Sequence, residues 1–197
     1  MQNPILLDVP ERIETARLTL RSPMHGDGPA LYEAVADSLA ELREFLASLP
    51  WAAGVQSVQL SEIYCRNAHF SFIARQDMPF LIFERSTSML VGCVGLHRPD
   101  WHTPKVELGY WCRSTRAGNG FMTEAVLALL QVAEKNLAAA RVELRTDASN
   151  LRSRALAERC GFVLEGVLRC ERRAPDGQLR DTCMYARTST ALSSGAA

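Results

Sequence analysis

The chain of 197 residues lacks long apolar runs, an excess of charge of either sign and closely spaced cysteines. Its longest apolar stretches, VLALL and FLIF, are much shorter than the ~18–20 residues that a membrane-spanning helix requires. The amino terminus carries no basic segment, and Asp8 interrupts its one apolar stretch, so we expect no signal peptide. Hydrophobic residues make up 47% and charged residues 22%, as in typical globular domains, so we expect a soluble cytoplasmic protein without a membrane partner.

The balance of charge and the scatter of cysteines argue against two further classes of protein. The 22 Lys and Arg residues equal the 22 Asp and Glu residues, whereas a nucleic-acid-binding domain normally has a basic excess. The six cysteines form no CxxC pair, and His97 and His102, which flank Asp100, have no further ligand near them in the sequence. We therefore expect reduced cysteines, no bound metal and no direct contact with nucleic acid.

The hydrophobic periodicity predicts one domain over residues 1–188 and a disordered tail over 189–197. It predicts strands at 13–21, 80–84, 88–96, 106–113, 141–147, 162–172 and 179–187. It predicts helices at 29–46 (with a possible internal break), 55–68, 121–136 and 151–160, and turns at 50–54, 85–87, 100–104 and 175–177. This order favours a mixed sheet with helices on both faces.

The most informative segment joins the predicted strand 106–113 to the predicted helix 121–136. Gly118 and Gly120 permit positive φ angles and a close approach of a ligand to the backbone. The first N–H groups of the helix lack carbonyl partners and lie at the positive end of its dipole, so this turn suits a phosphate or pyrophosphate. Arg116 would add a charge-assisted contact. The segment lacks the GxxxxGK[ST] and GxGxxG motifs, and by itself it also fits a plain glycine turn.

Five segments, in this order, resemble the GNAT-superfamily N-acetyltransferases, most closely those of the RimJ/RimL ribosomal-protein type: ETARLTLR, LVGCVGLH, VELGYWCRSTRAGNGFMTEAV, RVELRTDASNLRSRALAERCGFVLEGVLR and DGQLRDTCMYAR. The resemblance covers residues 13–187 and implies the α/β (α+β) acyl-CoA N-acyltransferase fold. In that fold a mixed, mostly antiparallel, seven-stranded sheet is splayed between strands four and five, here 106–113 and 141–147, and has helices on both faces. It implies acetyl-CoA, lying in the split, as the cosubstrate.

The resemblance also implies which residues contact the cofactor. The pyrophosphate would bind the backbone of residues 116–121, the pantetheine would pair with 110–112, and Asn150 would hydrogen-bond the pantetheine. The family pattern Q/R-x-x-G-x-G/A begins here with Ala117 and ends with Met122, so Ala117 offers only its backbone. The implied cofactor residues are Tyr110, Trp111, Cys112, Arg116, Ala117, Gly118, Asn119, Gly120, Phe121, Met122 and Asn150.

Acetyl transfer from a thioester requires a neutral amine, a stabilised oxyanion and a protonated leaving thiolate. Backbone N–H groups near Trp111 or Cys112 would stabilise the oxyanion. Ser153 matches the family serine three residues after the asparagine and is the candidate acid, although a helix-start hydroxyl is an alternative interpretation. Cys112 as a nucleophile is disfavoured, because no histidine is near it in the sequence.

Two carboxylates are candidates for handling the amine proton, Glu107 in the predicted fourth strand and Glu171 near the place where related enzymes carry a carboxylate. The alternative for Glu107 is a structural ion pair. Glu124 and Glu165 are interpreted as structural.

The predicted function is therefore acetyl-CoA-dependent acetylation of a primary amine, most readily a protein N-terminal α-amine, by direct attack. The α-amine, with a pKa of ~7.7–8, is neutral at pH 7 far more often than a lysine at ~10.4. Two alternatives remain, acetylation of a small amine (an amino acid, polyamine or antibiotic) and a non-catalytic module that binds acyl-CoA. We expect a monomer or homodimer, with acceptor specificity in the helices 29–46 and 55–68.

Overall fold

The structure is a computed structural model that describes residues 3–46, 50–174 and 177–188. Within these ranges the strands are β1 (Arg12–Glu14), β2 (Leu18–Arg21), β3 (Met78–Glu84), β4 (Leu90–Asp100), β5 (Lys105–Cys112), β6 (Arg141–Asp147), β7 (Val163–Arg173) and β8 (Leu179–Thr188). The α-helices are α1 (Gly28–Ala36), α2 (Leu39–Leu46), α3 (Pro50–Ala53), α4 (Val58–Ile73), α5 (Phe121–Lys135) and α6 (Leu151–Arg159). No helix in these ranges is long and apolar enough to cross a membrane.

The sheet confirms the predicted mixed, mostly antiparallel architecture. Its strand order is β1-β2-β3-β4-β5-β6-β8-β7, and every neighbouring pair is antiparallel except β5 and β6. The described residues form eight strands rather than the seven predicted, because 13–21 is not one strand. The chain turns between β1 and β2, where the Thr15 hydroxyl accepts the N–H of Leu18 at 3.0 Å. Strands of three and four residues carry too little periodicity to be told apart in the sequence.

The helices on the amino-terminal side differ from the prediction in their ends. The predicted helix 29–46 divides into α1 and α2 at the expected break, where the Ser38 hydroxyl donates to the Ala34 carbonyl at 2.8 Å. The predicted turn 50–54 contains α3. The predicted helix 55–68 is α4, which begins after the N-cap Ser57 and extends to Ile73. The predicted turn residues 175 and 176 and the tail 189–197 lie outside the described residues.

Helices cover both faces of the sheet, as predicted. In β3, Leu81 packs in a cluster with residues of α1, α2 and α4, whereas its neighbours Phe80 and Ile82 point to the other face and share a core with α5. The same alternation continues into β5, where Leu108 and Tyr110 lie on the α5 face and Trp111 lies on the face of α1 and α2.

The predicted split in the sheet is confirmed, and it lies between β5 and β6. These strands pair only through Lys105, Val106 and Glu107, opposite residues 141–143. Beyond that point β5 stays paired with β4 as far as Cys112, and β6 stays paired with β8 as far as Asp147. Beyond Glu107 no described strand lies beside this edge of β5, and backbone groups of the edge face the gap.

Candidate active site

A cavity of about 1660 Å³ lies in this split. The sheet residues that line it belong to both faces, since Leu108 and Tyr110 alternate with Gly109 and Trp111 along β5. One end is formed by the start of α5 and the loop before it, and another by the α2 residues 41, 42, 44 and 45. The cavity therefore connects the α5 face of the sheet with the α2 face through the gap between the strands.

The loop before α5 has the geometry of an anion site. Gly120 is the N-cap of the helix and adopts the left-handed conformation, with φ of 76°. Gly118 also has positive φ, 81°, and no atom lies within 4 Å of the position that a Cβ would take there. The carbonyl of Gly120 accepts the N–H of Glu124, so the N–H groups of residues 121–123 precede the first helical bond and are free for a ligand.

Arg17 is a cation at this loop that the sequence interpretation missed. Its Nη1 donates to the carbonyl of Asn119 at 3.0 Å, its Nε donates to Glu124 at 2.7 Å, and its guanidinium lies 4.7 Å from the ring centre of Phe121. Arg17 also lines the cavity. No local motif indicates this role, because the contacts span more than 100 residues of chain.

The charge of Arg116 is less available than expected. Two of its guanidinium nitrogens lie 2.9 and 3.2 Å from the Met89 sulfur, and a third lies 3.5 Å from a carboxylate oxygen of Glu84. Arg116 still lines the cavity, but its guanidinium has a carboxylate partner. Arg17 is likewise paired with a carboxylate, that of Glu124, so at this end of the cavity the backbone amides are the better anion ligands.

Asn150, Ser153 and Tyr110 meet on the β6 side of the cavity. Asn150 caps α6, with its Oδ1 accepting the N–H of Ser153 at 3.0 Å, and no described residue accepts from its Nδ2. The hydroxyls of Tyr110 and Ser153 are 2.9 Å apart, and either can donate to the other. Burial raises the pKa of Tyr110 to about 12 despite the opposing hydrogen bond with Ser153, so the phenol is protonated at neutral pH. The pair therefore forms a short chain of exchangeable protons.

Cys112 lines the cavity but has the properties of a structural thiol. Burial raises its pKa to about 11, so the nucleophilic thiolate is scarce at neutral pH. This agrees with the expectation of direct attack rather than a covalent intermediate.

The structure does not bring either candidate carboxylate into the cavity lining. Both oxygens of Glu107 contact the guanidinium of Arg98. Glu171 accepts from Arg145 at 2.6 Å and from the Thr182 hydroxyl at 2.7 Å. Because these lone pairs are already used by cations or donors, neither carboxylate is positioned as a free base.

The two carboxylates interpreted as structural are both ion-paired. Glu165 bonds Arg141 through both oxygens, at 2.8 and 2.5 Å. Burial opposes ionisation of Glu124, but hydrogen bonds from Thr15 and Arg17 outweigh it and lower its pKa. Among the described residues, no three His, Cys, Asp or Glu side chains lie close enough together to hold a metal ion.

Comparison with known proteins places this cavity in a family. The family model described as an acetyltransferase (GNAT) domain matches residues 17–163. A protein of Bacillus subtilis (strain 168) named as a candidate ribosomal N-acetyltransferase, YdaF, is 38% identical over 80 residues, 41% of this chain and 44% of that protein. A ribosomal-protein-serine acetyltransferase of Escherichia coli (strain K12) is 29% identical over 108 residues, 55% of this chain and 59% of that protein. The matched segments thus span less than two thirds of these two relatives.

The fold is shared with solved acetyltransferase structures. RimL, the ribosomal L7/L12 α-N-protein acetyltransferase in complex with coenzyme A, superposes with a TM-score of 0.83 at 24% identity. The match covers 90% of this chain and 98% of that one. At this identity the likeness concerns the fold, including the sheet in which the cavity lies.

Coenzyme A should stabilise the protein through the loop before α5. At 100 times its dissociation constant we expect the melting temperature to rise by roughly 5–10 °C. Gly120→Val should abolish the rise, because a side chain strains this left-handed residue at the start of α5 and its Cβ would lie 3.5 Å from Nη2 of Arg17. Differential scanning fluorimetry with and without coenzyme A measures both effects.

Gly26→Val is the matched control, since Gly26 also has positive φ, 90°, but lies outside the cavity lining. Both variants should lose stability, and only Gly120→Val should lose the response to coenzyme A. An unchanged response in Gly120→Val would show that the loop is not the phosphate site.

Proposed function

The chain belongs to the acetyltransferase (GNAT) family, and on that premise we propose that it transfers the acetyl group of acetyl-CoA to the α-amine of a protein N-terminus. The amine attacks the thioester directly. The observation that carries the proposal is the free edge of β5, which runs through one cavity with the open start of α5. This arrangement supports a ligand with phosphates at one end and an extended, amide-containing arm at the other.

Binding is the first task of the cavity residues. The amides of residues 121–123 bind the phosphates of the cosubstrate, and Arg17 holds the loop by donating to the Asn119 carbonyl. The edge of β5 from 108 to 112 offers backbone donors and acceptors to the pantetheine amides, as a neighbouring strand would. The Nδ2 of Asn150 donates to a pantetheine carbonyl, while its Oδ1 holds the start of α6.

The transfer reaction takes place where β5 and β6 part, just beyond Glu107. Acetyl-CoA supplies an activated acetyl group as a thioester. Free N–H groups on the β5 edge stabilise the oxyanion that forms when the amine attacks. The Ser153 hydroxyl donates a proton to the departing thiolate, and the protonated phenol of Tyr110, 2.9 Å away, replaces it.

The acceptor enters from the α2 face. There α2 and the β7–β8 hairpin border the cavity, and Arg180 of β8 joins them by donating to the Glu44 carbonyl at 2.9 Å. Two similar proteins are named for acetylation of a ribosomal-protein serine and of an α-N-terminus. The ordinary pKa of an α-amine, ~7.7–8, also leaves more neutral nucleophile at pH 7 than a lysine provides.

A panel of acceptors tests the proposed function. Purified protein and acetyl-CoA are combined with peptides that have free N-termini, with the same peptides blocked at the N-terminus but containing lysine, and with amino acids and polyamines. We expect thiol release and a mass gain of one acetyl group only with the free N-termini. Turnover of the small amines alone would favour the small-amine alternative, and binding of coenzyme A without turnover of any amine would favour a non-catalytic module.

Two substitutions on one turn of α6 should separate binding from proton transfer. Asn150→Asp keeps the cap acceptor but loses the amide donor, so it should raise the KM for acetyl-CoA by roughly 3–10-fold with a smaller effect on kcat. Ser153→Ala should instead lower kcat by up to about 10²-fold with little change in that KM. Steady-state kinetics, with circular dichroism to confirm folding, measures the split. Full kcat in Ser153→Ala over about pH 6–9 would reduce Ser153 to a structural hydroxyl.

A further inference from the structure

We propose that His97, oriented by Asp77, is the general base that accepts the proton of the acceptor amine. The inference rests on the proposed acetyltransferase function. It assigns this step to a side chain of β4 on the α2 face of the sheet, where the acceptor enters.

His97 and Asp77 form an oriented pair. The imidazole Nδ1 lies 2.7 Å from a carboxylate oxygen of Asp77, in the segment before β3. A carboxylate at Nδ1 fixes the tautomer with the proton on that nitrogen, so Nε2 carries the free lone pair. The His97 side chain is 28% exposed, which leaves Nε2 in reach of water.

Two facing glycines let the imidazole ring lie against the sheet. Gly95 in β4 and Gly109 in β5 are register partners. A Cβ at Gly95 would lie 2.6 Å from Nε2, and a Cβ at Gly109 would lie 3.2 Å from the same atom. A side chain at Gly95 would therefore displace the ring, and one at Gly109 would crowd it.

Gly109 places the ring against one residue of the cavity lining, although His97 itself is not among the lining residues. Gly109 lines the cavity and lies two residues beyond the last pair that β5 makes with β6. It is also next in sequence to Tyr110, which contacts Ser153. The acid pair thus lies on the α5 face of β5 and the base on the opposite face, so a thioester in the split has one on each side.

The charged groups around His97 favour it over the nearby carboxylates. Glu107, its register partner in β5, is held by Arg98, and Tyr64 of α4 lies near Asp77. Asp77 is therefore the carboxylate that contacts the ring and stabilises the imidazolium once it forms. Glu171 is engaged elsewhere, by Arg145 and Thr182.

The proposed step moves one proton from the amine to His97 and one from Ser153 to the leaving thiolate. The amine nitrogen forms a bond to the thioester carbon while one of its protons passes to Nε2, directly or through one water. The carbon–sulfur bond then breaks, and the thiolate takes the hydroxyl proton of Ser153. The products are an amide and coenzyme A thiol; the Ser153–Tyr110 pair regains its lost proton from solvent, and the proton on His97 leaves to solvent on the α2 face.

Kinetics of His97→Gln with a free-N-terminus peptide test the proposal. We expect kcat/KM for the peptide to fall by about 10²-fold or more at pH 7, with the KM for acetyl-CoA and the melting-temperature response to coenzyme A unchanged. His102→Gln, an exposed histidine in the turn between β4 and β5, is the matched control and should retain wild-type activity. Added imidazole should partly restore the rate of His97→Ala, because that variant leaves room over the glycine pair.

The pH profile distinguishes a base from a structural histidine. In the wild type, kcat/KM should fall at low pH with the uptake of two protons, one on the amine and one on His97. In His97→Gln, kcat/KM should fall at low pH with the uptake of a single proton, the one on the amine. Asp77→Asn should lower kcat/KM for the peptide and leave the KM for acetyl-CoA unchanged, because the imidazolium loses its carboxylate.

Three results would overturn the proposal: full activity of His97→Gln, a two-proton profile that persists in that variant, or an unchanged kcat/KM in Asp77→Asn. The last applies even if His97 variants fold poorly, since Asp77→Asn retains the ring. If the wild type binds coenzyme A but acetylates no amine, the proposed function itself fails. If both the wild type and His97→Gln acetylate the peptide at the same rate, the proposed function stands and only the role of His97 fails.

Discussion

The parting of β5 and β6 after three residue pairs is the constraint on which the rest of the structure depends. A strand in the middle of a sheet normally has both edges paired, and unpaired backbone groups away from water are costly. Here β5 is held on one side by β4, and on the other side it pairs with no described strand after Glu107. The protein therefore has a preformed strand edge that an extended ligand can pair with. The pairing of β5 with β4 and of β6 with β8 keeps the two strands apart at this edge.

The surrounding elements make the two ends of the split chemically different. On the α5 face, left-handed Gly120 starts a helix whose free amides suit anionic groups. On the α2 face, α2 and Arg172 of β7 contribute to the lining, and His97, outside that lining, lies over a pair of glycines. Gly92 contributes to the fit of β4 on β5, since a Cβ there would lie 2.2 Å from the Trp111 carbonyl oxygen. Cofactor and acceptor can thus approach one bond from opposite faces.

The features that the sequence predicted are those encoded locally. The strand 141–147 has the predicted ends, and α5 ends one residue before its prediction, because each has a regular apolar pattern over its whole length. The glycine loop, Asn150 and Ser153 could be proposed as site residues from the sequence because they form short motifs. The contacts of Arg17 with Asn119 and of Asp77 with His97 could not be predicted from the sequence, because only the folded sheet brings these residues together. Glu107 and Glu171 were plausible bases by position, but their partners Arg98 and Arg145 come from contacts that no spacing reveals.

Hydrogen–deuterium exchange with and without coenzyme A tests the role of the split most directly. Coenzyme A should slow exchange in peptides that cover 108–112 and 118–123, because it takes up the free amides of β5 and of the start of α5. Exchange in α4 should not change, because α4 contributes no residue to the cavity lining. Protection confined to other segments, or no protection at all at saturating coenzyme A, would contradict the assignment of the split as the cofactor site.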